Sequence, residues 1–150
     1  RRDVCELMNY GDTSDTWSAN PISCAAVLAT LDEFESTDVL GRTNSLYDIL
    51  VDALCKLKET GVIANVRGEG AVFGIECAKV GSTEPAHVAN AIVARCYQGN
   101  ENNDGIHLLG PLAGCVIRIS PPMCMTDEQA ITSLALLHRF VSEVGDTLRK

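Results

Sequence analysis

The sequence predicts an α+β fold, in which helices cover a small, mostly antiparallel sheet of three to four strands and two long helices precede that sheet. Three observations lead to this prediction. Apolar residues recur with helical spacing over two long segments early in the chain and over one at its end. Short apolar runs bounded by glycine and proline lie between them and have the character of strands. Helices that alternate with a few short strands are typical of α+β domains.

The first long helix is predicted from Pro21 to Glu35. Asn20 is a favourable N-cap, because its side-chain oxygen can accept a hydrogen bond from a backbone amide that lacks a helical partner. Pro21 suits the first helical position, where an amide proton would have no partner and φ is already helical. Small and apolar residues follow at helical spacing, namely Ala25, Ala26, Leu28, Ala29, Leu31 and Phe34.

The second long helix is predicted from Val39 to Glu59, after a break at residues 36–38. Its apolar residues repeat as i, i+3, i+4, i+7, which is the pattern of a helix with one buried face. Gly61 supplies the left-handed residue that ends many helices. The apolar residues are Leu46, Ile49, Leu50, Ala53, Leu54 and Leu57.

The rest of the chain predicts shorter elements. Alternation from Ala71 to Cys77 indicates a strand that follows a bulge or a tight turn. A third helix is predicted from Thr83 to about Tyr97. Two further strands, at Ile106–Leu109 and Cys115–Ser120, are predicted to form a hairpin or to lie side by side in one sheet. A capping box at residues 126–129 predicts the start of the last amphipathic helix.

Length and charge limit the possible functions. A chain of 150 residues is long enough to bury a core and is expected to form one domain. Its formal net charge of −8 argues against a surface for nucleic acid or for an anionic membrane. The longest apolar stretches contain polar residues and are too short to span a bilayer. The chain begins at Arg1 and not at methionine, so we expect it to be part of a longer polypeptide.

The seven cysteines are scattered, without the spacing of a metal site or a disulfide framework. Five of them fall within apolar patterns, where a free cysteine behaves as a small apolar residue. These five are Cys24, Cys55, Cys77, Cys96 and Cys115. We therefore expect reduced core cysteines, no metal site and a cytoplasmic protein.

Two places carry residues that suit a binding site. Thr16 and Ser18 place two hydroxyls and free backbone amides ahead of a helix N-terminus, where the helix dipole favours a phosphate. The alternative is a capped helix that follows a polar loop. Arg118 stands at the end of a predicted strand, where a guanidinium can hold a carboxylate by two parallel hydrogen bonds. Its alternative is an edge-strand arginine paired with a nearby Asp or Glu.

Four stretches resemble landmarks of the class III aminotransferases, which are pyridoxal-phosphate enzymes of fold type I. Residues 16–26 resemble the family's Thr-aromatic-small-small-Asn/His-Pro…Ala-Ala signature, and residues 66–76 resemble its Val-Arg-Gly-x-Gly strand. Residues 116–122 are similar to its hydrophobic-Arg-hydrophobic-x-Pro-Pro strand end. Residues 126–129 stand where its last helix begins. The likeness covers at least residues 15–145, with the four landmarks in the family's order.

The resemblance implies a division of the chain into three parts. Residues 1–20 correspond to the end of the large domain and an interface loop. Residues 21–60 correspond to interdomain helices, and residues 61–150 to the C-terminal small α+β domain.

The resemblance also implies roles for individual residues. Arg118 corresponds to the arginine that binds the α-carboxylate of the substrate. Thr16 corresponds to the threonine whose hydroxyl contacts the cofactor phosphate in the partner's active site across a homodimer interface, and Ser18 can add a backbone contact. The implied cofactor is pyridoxal 5'-phosphate, and the implied substrates are an amino-acid or amine donor and a 2-oxo acid acceptor.

The catalytic lysine of the family, which forms the Schiff base with the cofactor, lies before the Thr motif and has no counterpart in these residues. The four lysines present are expected at the surface, so the chain alone is expected to be inactive. They are Lys56, Lys58, Lys79 and Lys150. The glycines near Arg67 and that arginine itself are interpreted as structural. Two alternatives remain open, a non-enzymatic α+β regulatory or interaction module and an aminotransferase paralogue that has lost the cofactor.

Overall fold

The computed structural model describes residues 2–9, 11–12, 15–16, 18–111 and 113–150. The chain divides into two compact units, residues 1–39 and 40–150. The division into residues 1–20, 21–60 and 61–150 stays a prediction. Trp17, the aromatic residue of the first landmark, lies outside the described residues.

The first unit contains a short helix α1 (Arg2–Cys5) and a long helix α2 (Pro21–Ser36). The predicted cap of α2 is confirmed, because Asn20 Oδ1 accepts hydrogen bonds from the amides of Ile22 at 3.0 Å and Ser23 at 3.4 Å. Helix α2 buries none of its residues. Its apolar side chains are exposed, including Ile22, Val27, Leu28, Leu31 and Phe34.

Helix α3 (Val39–Lys56) buries Leu46, Leu50 and Leu54, which lie four residues apart on one face. One turn of 3-10 helix, Leu57–Thr60, continues it, and Gly61 ends it with φ of 68°. The predicted helix from residue 39 to 59 is therefore confirmed, with a tighter last turn.

The second unit contains one antiparallel sheet in the order β1-β2-β3, formed by β1 (Ile63–Glu69), β2 (Val72–Cys77) and β3 (Val116–Ile119). The two-residue turn at Gly70 and Ala71 joins β1 to β2, and the left-handed φ of 56° at Gly70 needs a residue without a Cβ. The sequence predicted this turn but not the separate strand before it. Strand β1 buries only Ile63, so it lacks the alternation that marks a half-buried strand.

The predicted strand at Ile106–Leu109 is wrong, and so is its hairpin with β3. The amide of Ile106 donates to the carbonyl of Cys96 at 2.9 Å, which holds this segment to the end of the preceding helix α4 (Pro85–Gln98). Within the described residues, β3 pairs with β2 alone and forms an edge of the sheet.

The last helix, α5 (Asp127–Leu148), begins with the predicted capping box. Thr126 Oγ1 accepts from the amide of Gln129 at 3.2 Å, and Gln129 Oε1 accepts from the amide of Thr126 at 2.9 Å. Phe73, Ile75 and Ile117 point from one face of the sheet into the core that the buried faces of α3, α4 and α5 complete. Among the described residues the core side chains are all apolar. None of the described helices combines the length and apolar character that crossing a bilayer requires.

All seven cysteines are free. Cys77 and Cys96 are buried and Cys115 is half-buried, but the prediction of core positions is wrong for Cys24 and Cys55, which are exposed. Cys24 lies on α2, which buries nothing. Cys55 follows Leu54 on α3 and therefore falls outside the buried stripe of that helix.

Helices α4 and α5 are joined by a charged cluster over an aromatic ring. Glu143 accepts hydrogen bonds from Arg139 Nε and from Arg95 Nε, both at 2.8 Å, and the Arg95 guanidinium lies 4.1 Å from the centre of the Phe140 ring. The hydrogen bond from Arg139, with further help from Arg95, lowers the pKa of Glu143 below its ordinary value.

This lowered pKa predicts an acid-dependent contribution to stability. The contribution is present above the ordinary glutamate pKa of about 4.3 and is lost as the pH falls below it through the lower folded-state pKa. Glu143→Gln should therefore destabilise the chain at neutral pH by no more than about 1 kcal/mol, because the carboxylate is partly solvated. The difference from the unsubstituted chain should shrink in acid, as measured by urea unfolding across pH.

Glu101→Gln is the matched control, because Glu101 is exposed and has no ion pair in the described part of the chain. A free-energy difference for Glu143→Gln that stays constant from neutral to acid pH would contradict the linkage.

Candidate functional site

Arg118 stands on the exposed face of β3 because its neighbours Ile117 and Ile119 are buried on the other face. In a strand successive side chains alternate between faces, so two buried isoleucines fix the direction of the residue between them. The register places Arg118 opposite Gly74 of β2. Gly74 in turn lies opposite Arg67 of β1. Two arginines therefore flank, on one face of the sheet, a position that has no side chain.

The two arginines differ in their partners. Arg67 Nη1 donates to Glu76 Oε2 at 2.8 Å, so its charge is balanced by a neighbouring carboxylate. This contact agrees with the interpretation of Arg67 as structural. Arg118 has no ion pair or hydrogen bond of its side chain within the described residues. The exposed guanidinium of Arg118 is therefore available for an anion, and the alternative of an edge-strand ion pair has no counterpart in the described part of the chain.

Glycine is needed at one position of β1 and at one position of β2. A Cβ on Gly68 would lie 2.3 Å from the Val72 carbonyl oxygen, a distance that real Cβ atoms do not adopt. A Cβ on Gly74 would lie 3.1 Å from Val116 Cγ1, and a side chain there would stand between the two arginines. Gly68 thus lets β1 and β2 approach closely, and Gly74 leaves the surface beside Arg118 without a side chain.

A cavity of about 350 Å³ lies beside the edge strand. It is lined by residues 106–109, by residues 118–122 and by apolar side chains of α3 and α5. His107, Ser120 and Ser133 are the polar lining residues besides Arg118. An apolar cavity with a few polar lining residues suits a small organic molecule.

Thr16 is exposed, and its hydroxyl has no hydrogen-bond partner in the described part of the chain. Ser18 differs, because its Oγ donates to Asp15 Oδ2 at 2.9 Å. Sequence reasoning missed this contact, although an Asp three residues before a Ser in a loop is a usual sign of a local side-chain bond. Thr16 is the hydroxyl of this pair that is free to donate.

The N-terminus of α2 is already satisfied by its own cap. Pro21 has no amide proton, the amides of Ile22 and Ser23 donate to Asn20 Oδ1, and the amide of Cys24 donates to the Asn20 carbonyl. A phosphate near this helix would therefore be bound by the loop ahead of Asn20. It would interact with the helix itself only through the helix dipole.

The lysines and histidines offer no nucleophile or base in a protected position. The four lysines are exposed, and Lys56 and Lys79 pair with Asp52 and Glu84. The three histidines are also exposed. No cluster of three or more metal-binding side chains occurs among the described residues.

Comparison with known proteins places these features in a family. The model of the class-III aminotransferases matches residues 1–141. The 4-aminobutyrate aminotransferase of Mycobacterium leprae is 28% identical over 92% of this chain and 31% of its own length. The 5-aminovalerate aminotransferase of Pseudomonas putida is 28% identical over 95% of this chain and 34% of its own length. The chain thus spans about a third of the length of these relatives.

Solved structures agree on the fold. The ornithine aminotransferase of Toxoplasma gondii ME49 superposes with a TM-score of 0.76 over 97% of this chain and 32% of its own, at 22% identity. The acetylornithine aminotransferase of Elizabethkingia anophelis gives a TM-score of 0.70 over 95% of this chain and 35% of its own, at 23% identity. Because the family model covers nearly the whole sequence, this chain belongs to the class III aminotransferases.

Proposed function

We propose that this chain is the C-terminal portion of a pyridoxal-phosphate-dependent aminotransferase, which moves an amino group between an amino acid or amine and a 2-oxo acid. Membership of the family supports the proposal. The observation that carries it is the state of Arg118, an exposed guanidinium without a partner in the described residues, beside a position that has no side chain.

Arg118 would bind the α-carboxylate of the substrate. Its planar guanidinium can make two parallel charge-assisted hydrogen bonds, which fix the direction of a carboxylate as well as its position. Strand β3 holds the arginine rigidly, because Ile117 and Ile119 anchor the strand on either side of it. A fixed carboxylate determines how the bonds at the neighbouring α-carbon are presented to the reacting groups.

Thr16 would contact the cofactor phosphate, since its hydroxyl is exposed and free to donate. Ser18 would add its backbone amide, because its hydroxyl is engaged by Asp15. The bound cofactor supplies an electron-withdrawing ring that stabilises negative charge on the substrate carbon. The lysine that joins the cofactor covalently is proposed to lie in a preceding part of the protein, so the 150-residue chain alone is expected to be inactive.

The proposal includes a homodimer with shared active sites and a cytoplasmic location. Helix α2 supports the dimer, because Ile22 is 82% exposed, Leu28 is 62% exposed and Leu31 is 53% exposed. Such an apolar surface is usually covered by another protein surface. Seven free cysteines support a reducing compartment.

Arg118→Ala tests the substrate assignment in the complete protein that carries this chain. Loss of a two-bond carboxylate contact should remove about 2–4 kcal/mol of transition-state binding, which is roughly a 30- to 1000-fold fall in kcat/KM. Arg118→Lys should recover part of the loss, because an ammonium cannot make the planar contact. Steady-state kinetics should show the full effect only for donors and acceptors that bear an α-carboxylate.

Arg67→Ala is the matched control, because Arg67 lies on the same sheet face and its charge is satisfied by Glu76. An equal fall in kcat/KM for donors with and without an α-carboxylate would show that Arg118 has a structural role. A complete protein that transfers no amino group from any donor would overturn the proposed function itself.

Thr16→Ala should weaken retention of the cofactor. A hydrogen bond to a charged phosphate contributes about 1.5 kcal/mol or more, so the dissociation constant of pyridoxal phosphate should rise by about tenfold or more. Cofactor absorbance after dialysis of the complete protein measures this. Thr16→Ser should retain the cofactor, and Ser18→Ala should have a smaller effect because its hydroxyl faces Asp15. Equal retention by Thr16→Ala and the unsubstituted protein would refute the assignment.

The exposed face of α2 predicts self-association of the 150-residue chain. The chain should sediment as a species heavier than its 16.1 kDa mass. The double substitution Leu28→Glu and Leu31→Glu should restore the monomer, since charge in an apolar interface is costly. Ile131→Ser is the matched control, because Ile131 is similarly exposed, at 58%, but belongs to α5. A monomeric unsubstituted chain at all concentrations would contradict this prediction.

A further inference from the structure

Cys77 and Cys115 are neighbours across two strands of the sheet. The amide of Cys77 donates to the carbonyl of Cys115 at 2.9 Å. The register pairs Ile75 with Ile117 and Glu76 with Val116, so the next pair along the ladder is Cys77 with Cys115. Side chains alternate along a strand, and both cysteines therefore lie on the face of Ile75 and Ile117.

The two thiols differ in access. Cys77 is 3% exposed, whereas Cys115 is half-buried at the end of the sheet. Burial, together with the neighbouring charges of Cys115 and Glu76, raises the pKa of Cys77 to about 12. Cys115 is therefore the thiol that a reagent meets first, and Cys77 is the thiol behind it.

The backbone before Cys115 leaves room for adjustment. Gly114 has a left-handed φ of 74°, and a Cβ built on it meets nothing within 4 Å. The Cys77 amide donates to the Cys115 carbonyl, so this is a hydrogen-bonded pair, whose Cβ atoms lie toward the wider end of the range of about 4.5–5.5 Å, whereas a disulfide requires about 3.8 Å. A bridge between the two cysteines thus needs a small shift of the strand end, which this open turn allows.

We propose that Cys77 and Cys115 form a reversible disulfide when the protein meets a small-molecule disulfide such as glutathione disulfide. The Cys115 thiolate attacks one sulfur of the reagent, forms a mixed disulfide and releases one glutathione thiolate. Cys77 then gives up its proton to solvent and attacks Cys115 Sγ, which releases the second glutathione. The two protein thiols are oxidised by two electrons, and the reagent is reduced to two thiols.

The bridge should be readily reduced. A disulfide whose geometry departs from the preferred one is more reducible, and reducible bridges are the kind that switch in response to redox conditions. The pairing also distinguishes this site from Cys96, which is equally buried but lies on helix α4 and not in the sheet.

The test uses the chain with its four exposed cysteines, Cys5, Cys24, Cys55 and Cys124, changed to serine, so that three thiols remain. After native treatment with glutathione disulfide, the free thiols should fall from three to one per chain and the mass should fall by two hydrogens. Unreduced tryptic digests should join the peptide of residues 68–79 to that of residues 96–118. Reduced glutathione should restore all three thiols. The same linked peptide should appear in the unsubstituted chain, which keeps the test independent of the serine substitutions.

Two variants identify which cysteines form the bridge. Cys96→Ala in this background should still lose both remaining thiols. Cys77→Ala should instead gain one glutathione on Cys115, because nothing resolves the mixed disulfide. Three thiols that survive treatment, a bridge that contains Cys96, or a mixed disulfide that persists on Cys115 while Cys77 is present would each overturn the proposal.

Discussion

The arrangement of the candidate site depends on one constraint, the burial of a single face of the sheet. Ile117 and Ile119 must face the core, and a strand alternates its side chains, so Arg118 must face outward. The same constraint acts on β2, where Phe73 and Ile75 are buried and Gly74 lies between them. A shift of β3 by one residue would bury a guanidinium without a partner, at a cost of several kcal/mol. The core therefore fixes the direction of the side chain that we assign to the substrate.

Three other arginines make hydrogen bonds and ion pairs near the ends of the surrounding helices. Arg42 of α3 donates to the carbonyl of Met125 and pairs with Asp127, at the start of α5. Arg95 joins the end of α4 to α5, since it donates to the carbonyl of Gly99 and to Glu143. Arg149 donates to the carbonyl of Thr60 just after α5 ends. Each guanidinium satisfies a carbonyl or carboxylate near a chain reversal, whereas the Arg118 guanidinium makes no such contact with the residues that the structure describes. This contrast supports its assignment as a binding residue.

Local features of the fold were predictable from the sequence. The cap at Asn20, the capping box at residues 126–129 and the long helices depend on residues within one or two turns of each other, and all are confirmed. The sequence pattern does not reveal β1, because this strand buries one residue only. It predicts a strand at residues 106–109, because an apolar run does not show which group its backbone bonds to.

The candidate site also has features that the sequence predicts and features that it does not. The position of Arg118 at a strand end was readable from the pattern, and its proposed role came from the family's motif. The partners of the site residues were not readable, because cross-strand pairing joins residues far apart in sequence. Gly74 lies 44 positions before Arg118 and is its direct neighbour in the sheet. The contact between Asp15 and Ser18 was local and could have been found. The register between Cys77 and Cys115 is likewise visible only once the strands are paired.

The core of the second unit, which is apolar throughout the described residues, responds to temperature in a particular way. Apolar burial near room temperature is driven by entropy and weakens on cooling. The ion pairs of Arg42 and Arg95 change in the same sense, because dehydrating charged groups becomes less unfavourable as temperature rises. Cooling therefore weakens the apolar core, and it also increases the desolvation cost of forming these ion pairs. Both contributions to the fold that presents Arg118 therefore weaken as the temperature falls.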